Sequence, residues 1–188
     1  MAALIFILIS LTAAVFHGAS PVRADDVAKP DPIAIDGDTA TVDVRLYTDE
    51  HHTQKLEDPV TSTSTLYGAF SAQFKGGKAP TPEKNIAVYK LPNTIVVYDN
   101  DGGDLMEGPE ATAAKAGTWK IKDNKVIFAF DKNWLASNPA EIYVGANFSF
   151  EFAGKGTGSG SSASVVFPGV GTIKIPTKAV SYTHLRAH

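Results

Sequence analysis

Along most of the chain apolar and polar residues trade places every second position, the spacing of a strand with one face in a core and the other in water. Val42, Val44 and Leu46 alternate with Asp43, Arg45 and Tyr47. The same rhythm predicts strands over Leu66–Phe74, Asn85–Leu91, Thr94–Tyr98, Thr118–Ile121, Lys125–Phe130, Ile142–Phe152, Ser164–Phe167 and Thr172–Ile175. It is strongest in Asn147–Phe152, where Phe148, Phe150 and Phe152 share a face and their polar neighbours point away.

Turn chemistry separates these runs. Asp123-Asn124, between Ile121 and Val126, predicts a tight hairpin, because both residue types tolerate the left-handed region that such turns need. Gly102-Gly103 is expected to supply positive φ in a longer loop, and Gly154–Ser162 reads as a flexible connection before a last strand pair. A single helical turn or two is predicted over Lys132–Asn138, with Asp131 as N-cap and Pro139 blocking continuation. There is no internal repeat. Many short half-buried strands with almost no helix predict an all-β chain folded as a sandwich of two mainly antiparallel sheets, each hiding the other's apolar face.

The two ends read differently from the middle. Residues 1–24 carry an apolar run from Leu4 to Phe16, then Val22 and Ala24 at the third and first positions before a cut, with Asp25-Asp26 opening the mature chain. This is the pattern of a secretory signal peptide, and the run is shorter than the ~20 apolar residues that span a bilayer. Cleavage and export are expected, without membrane insertion afterwards. Residues 25–36, with Pro30 and Pro32, read as an extended linker, leaving 37–178 as the domain. Val180–His188 resembles the translation of a transposase adapter used in sequencing libraries, so 179–188 is expected to be an artefact and the natural chain to continue past Lys178.

Removing leader and tail takes away Arg23 and Arg186 and leaves 15 Lys and Arg against 20 Asp and Glu, a net charge of −5. Such a surface repels phosphate backbones, and no basic cluster interleaved with aromatics offsets it, which disfavours nucleic acid as a partner. The absence of cysteine excludes disulfides, thiolate catalysis and Cys-ligated zinc together, a usage common among proteins exported by monoderm bacteria.

Candidate chemistry is sparse. His51-His52 are the only histidines between leader and tail, and they lie in a polar connection after Asp49-Glu50. A solvated turn is the expected reading, since adjacent side chains on an extended chain point apart and no nucleophile elbow accompanies them. Asp99-Asn100-Asp101-Gly102-Gly103-Asp104, with Glu107 and Glu110, is the densest carboxylate run. Its oxygens suit calcium, yet Gly103 and Asp104 stand where a helix-loop-helix site needs an oxygen donor and then Gly, so it reads as a solvated loop tip. Trp119, Trp134 and Tyr143 could form a sugar-stacking platform or pack into the core, the commoner fate of such aromatics. No catalytic, cofactor-binding, metal or ligand-binding residue is assigned, and no cofactor is expected.

Taken in order, Val42–Tyr47, Tyr89-Lys90-Leu91-Pro92-Asn93-Thr94-Ile95, Gly117–Ile121, Asn124–Phe130, Asn133-Trp134-Leu135 and Val144–Phe150 resemble the Ig-like sandwich at the N-terminus of Gram-positive cell-wall adhesins, the collagen- and fibrinogen-binding surface proteins. The resemblance implies an Ig-like β-sandwich displayed on the cell surface, without enzymatic activity, that binds an extracellular protein or glycan. It also implies stalk domains and a cell-wall sorting signal beyond Lys178. Members often carry an internal isopeptide bond from Lys on an early strand to Asn on the last. Here Arg45 is the basic residue on the early strand and Ser164–Ile175 contains no Asn, so no bond is assigned. The competing expectations are a carbohydrate-binding module of a secreted enzyme, marked by a flat row of exposed aromatics, and a pilin-like subunit.

Overall fold

The computed structural model describes residues 30–61, 63–98, 101–107, 114–137, 139–152 and 162–178. The leader, residues 25–29 of the expected linker, most of the Gly154–Ser162 connection, Asp99, Asn100, Glu110 and the 179–188 tail lie outside them. No helix among the described residues is long and apolar enough to cross a membrane.

In chain order the strands are β1 (Ile33–Ala34), β2 (Ala40–Tyr47), β3 (Leu66–Phe74), β4 (Ile86–Lys90), β5 (Ile95–Val97), β6 (Gly102–Met106), β7 (Lys115–Lys122) and β8 (Lys125–Phe130). After the five-residue helix α1 (Lys132–Ala136) come β9 (Tyr143–Phe152), β10 (Ala163–Phe167) and β11 (Gly171–Ile175). One sheet has the order β1-β4-β8-β7-β6 and a second β2-β3-β9-β5, while β10 and β11 form a separate hairpin. Every pairing between these strands is antiparallel except β1 with β4. The described residues form an all-β sandwich with one short helix.

The alternation explains where the core lies. Phe148 and Phe150 on β9, Phe70 on β3, and Tyr89 and Phe128 on β4 and β8 are all buried. Phe70 meets Tyr89 at 4.3 Å and Phe128 at 5.9 Å between ring centroids, so the two larger sheets join through aromatic contacts across their inner faces. The hairpin adds Val165, Phe167 and Ile175 to the same core. Tyr89 ties it down by donating from its hydroxyl to the Pro168 carbonyl at 3.0 Å.

Local chemistry behaves as its residue types require at the β7–β8 turn and at α1. Asp123 and Asn124 take φ of 50° and 57°, the mirror-image turn that matches strand twist. Asp131 caps α1, accepting from the Asn133 and Trp134 amides at 2.8 and 2.9 Å.

Two segments depart from expectation. Ile33–Ala34, inside the stretch read as linker, pairs in parallel with Ala87–Val88, and Ile35 enters the core. The Gly102-Gly103 pair does not form a positive-φ loop. It opens β6, with Gly102 opposite Lys120 and Gly103 opposite Trp119. Close approach is the reason for glycine here: a Cβ on Gly102 would stand 2.8 Å from the Trp119 carbonyl oxygen.

Candidate functional site

The 48–55 connection is shaped by one carboxylate. Asp49 accepts from the Gln54 amide at 2.7 Å, from the Thr53 amide at 3.1 Å and from the Thr53 hydroxyl at 2.8 Å. These bonds favour the ionised form, and the Gln54 amide above all holds the Asp49 carboxyl below its ordinary value. The loop closes further through Thr48 N–H to the Gln54 carbonyl at 3.0 Å, and His52 is carried at φ 56° in the left-handed region.

That unusual backbone turns the His52 ring inward. It sits edge-on to Tyr47 at 5.0 Å and to Tyr67 at 6.4 Å, and its Nε2 is shielded from solvent with no hydrogen-bond partner among the described residues. His51 stays exposed, 3.6 Å from the Glu50 carboxylate. The solvated-turn reading therefore fits His51, whereas His52 is half-buried in an aromatic bracket.

His52 lines a cleft of about 270 Å³ together with Glu50, Tyr67, Asp101, Trp119 and Asn147. The cleft opens where β6 and β7 of one sheet approach β9 of the other. Two features of the strands make room for it. β5 covers β9 over Phe150–Phe152, and among the described residues β9 from Tyr143 to Ser149 pairs with β3 alone. Gly103 lies opposite Trp119, where a Cβ would stand 3.3 Å from the indole Nε1.

Three groups far apart in sequence thus line one cleft. His52 arrives on a capped turn, Asp101 at the entry to β6, and Trp119 on β7. Of the other described members of the acidic run, Asp104 pairs with Lys115 at 2.7 Å and Glu107 is exposed beyond the end of β6. Among the described residues no three His, Asp or Glu side chains stand close enough together to hold a metal ion.

The three aromatics singled out as a platform do not share one exposed face. Trp134 stacks on Phe130 at 6.0 Å and is half-buried, Trp119 is half-buried in the cleft, and Tyr143 is 50 % exposed. Tyr143 donates to Glu141, and that bond to a carboxylate raises the phenol above its usual range. A larger depression of about 470 Å³ runs over Lys115, Thr118 and Asp131, but its one aromatic, Phe130, is buried and offers no face to a ligand. The smaller cleft is the better candidate, because it combines aromatic faces with several polar groups that can orient a ligand.

Comparison with known proteins returns neither a matching family model nor a matching curated protein. The functional reading therefore rests on the chain's own residues.

Proposed function

We propose that this chain is a non-catalytic recognition domain, exported and displayed at the cell wall, that binds an extracellular ligand in the manner of an Ig-like adhesin domain. The observation that carries the reading is the cleft. Tyr67, Trp119, Asn147 and Ser149 stand on strands of both sheets, a rigid frame that lowers the entropy lost on binding. Export rests on the leader pattern, and display at the wall rests on the family resemblance.

A carbohydrate-binding module is the second reading, favoured by Trp119 within the cleft. The half-buried states of Trp119 and Trp134 count against a flat platform for an extended polysaccharide and leave only a pocket for a single ring. The discriminating experiment offers the purified protein to immobilised extracellular proteins and to a panel of glycans, and separately assays it for hydrolysis of polysaccharides and esters. Saturable binding to a protein without turnover supports the adhesin reading. Turnover abolished by one carboxylate substitution overturns it.

A further inference from the structure

We propose that the cleft between β6–β7 and β9 is a receptor for a cationic side chain, a lysine or arginine presented by an extracellular protein partner. This inference deepens the recognition reading above and rests on it. Two acidic residues, Glu50 and Asp101, line the cleft with Tyr67 and Trp119, and no lysine or arginine lines it among the described residues. An anionic ligand would meet like charge. An uncharged sugar ring would leave both charges unmatched, the Glu50 side chain being 71 % exposed and Asp101 half-buried. A cation is attracted both by the carboxylates and by the neighbouring aromatic rings. The domain's net charge of −5 between residues 25 and 178 draws the same class of partner from a distance.

The volume and the neighbouring backbone favour a protein side chain. About 270 Å³ lies just under the ~300–1,000 Å³ that encloses a drug-sized ligand, enough to receive one side chain. Asn147 and Ser149, which line the cleft, belong to the stretch of β9 that among the described residues pairs with β3 alone. An extended partner segment can add its main-chain hydrogen bonds along that stretch while one basic side chain drops between Glu50, Asp101 and Trp119.

The test titrates the intact secreted protein with Nα-acetyl-lysine methylamide, Nα-acetyl-arginine methylamide, tetramethylammonium and the uncharged Nα-acetyl-norleucine methylamide, following the Trp119 indole and Asn147 amide signals by NMR. The lysine or arginine probe is expected to give saturable shifts that weaken in added salt, while norleucine gives none. Glu50→Gln with Asp101→Asn, or Trp119→Phe alone, is expected to weaken binding by about tenfold or less, the range of an exposed to partly desolvated cation–π contact. Thermal melts identify any variant that has lost its fold, and the isosteric Asp101→Asn change keeps the test open if Trp119→Phe unfolds.

Equal response to norleucine, response to tetramethylammonium alone, or silence from every probe would overturn the proposal. Attachment of the same proteins to immobilised partners separates this from the broader reading. If the wild type and the Glu50→Gln, Asp101→Asn double variant attach equally, the cleft proposal fails and adhesion stands. If the amine probes bind but no partner is retained, adhesion fails and the cleft stands.

Discussion

The Tyr89 hydroxyl on β4 donates to the Pro168 carbonyl in the β10–β11 turn at 3.0 Å, a link across 79 positions of sequence. The ring itself lies against Phe70 in the fully buried layer between the two larger sheets. One side chain therefore fills the core and fastens the last hairpin. Tyr89→Phe keeps the ring and removes the donor, so it is expected to destabilise the protein by about 1 kcal/mol, the net worth of a hydrogen bond whose acceptor is left partly shielded. Urea unfolding measures the loss. The same burial raises the phenol well above its usual range, so the group favours the folded state only while protonated. That contribution is constant below about pH 10 and declines as pH climbs from there towards the folded value. In Tyr89→Phe the alkaline decline should be smaller.

Asn124 serves the β7–β8 turn in two separable ways. Its backbone accepts φ of 57°, and its side-chain amide donates to the carbonyls of Leu91 and Pro92 at 3.0 and 3.1 Å, which fixes the chain leaving β4. Asn124→Gly preserves the conformation but loses both bonds, at an expected cost of about 1–2 kcal/mol. Asn124→Ala loses the bonds and adds about 1 kcal/mol for a left-handed residue with a Cβ. Chemical denaturation should rank wild type above the glycine variant and the glycine variant above alanine. Equal stability of the two variants would show that backbone strain contributes nothing here.

These cases also mark how far the sequence could be read. β3 and β8 occupy the very spans that alternation predicts, because their apolar period is long enough to register a buried face. Asp123-Asn124 and Asp131 were legible because turn and cap chemistry is local. β1 was not, since two residues carry no period and the pairing with Ala87–Val88 is supplied by the rest of the sheet. β6 was hidden by Gly102-Gly103 in an acidic run, which reads as a loop until β7 offers its edge. The cleft was invisible for a related reason. His52, Asp101 and Trp119 lie in separate stretches of the chain, and only strand order and the left-handed backbone at His52 bring them to one cleft.

Gly68 faces Phe148 across the β3–β9 ladder, and the Phe148 ring occupies the space where a side chain would stand: a Cβ on Gly68 would lie 2.4 Å from the ring. No small shift relieves that contact, because Phe148 is buried within the sandwich. Gly68→Ala should therefore cost about 1–3 kcal/mol through overpacking, despite the better strand propensity of alanine. Phe148 also lines the cleft, so its displacement should alter the Trp119 environment. Loss of stability by urea titration together with a shifted tryptophan emission is the expected outcome, and an unchanged midpoint would contradict the packing argument.

Acid should loosen the loop that forms one wall of the cleft before it disturbs the core. Asp49 holds the 48–55 turn through its bonds to Gln54 and Thr53, and Asp36 holds the entry to β2 by accepting from the Thr39 amide at 3.0 Å and the Asp38 amide at 3.0 Å. Both carboxyls are held below the ordinary value of 3.8, Asp36 chiefly by the Thr39 amide and Asp49 chiefly by the Gln54 amide. A carboxyl with a depressed folded value binds fewer protons in the native state than in the unfolded chain. Its stabilisation is present above the unfolded value and fades as pH falls through the folded one. Carboxyl NMR titration should give midpoints for both residues below 3.8, and the His52 ring signals should move with the Asp49 transition. Asp49→Ala should show His52 already displaced at neutral pH, with the packing of Phe70 on Tyr89 retained. If His52 kept its environment in that variant, the aromatic bracket of Tyr47 and Tyr67 would suffice to position it, and the carboxylate would have no part in shaping the cleft.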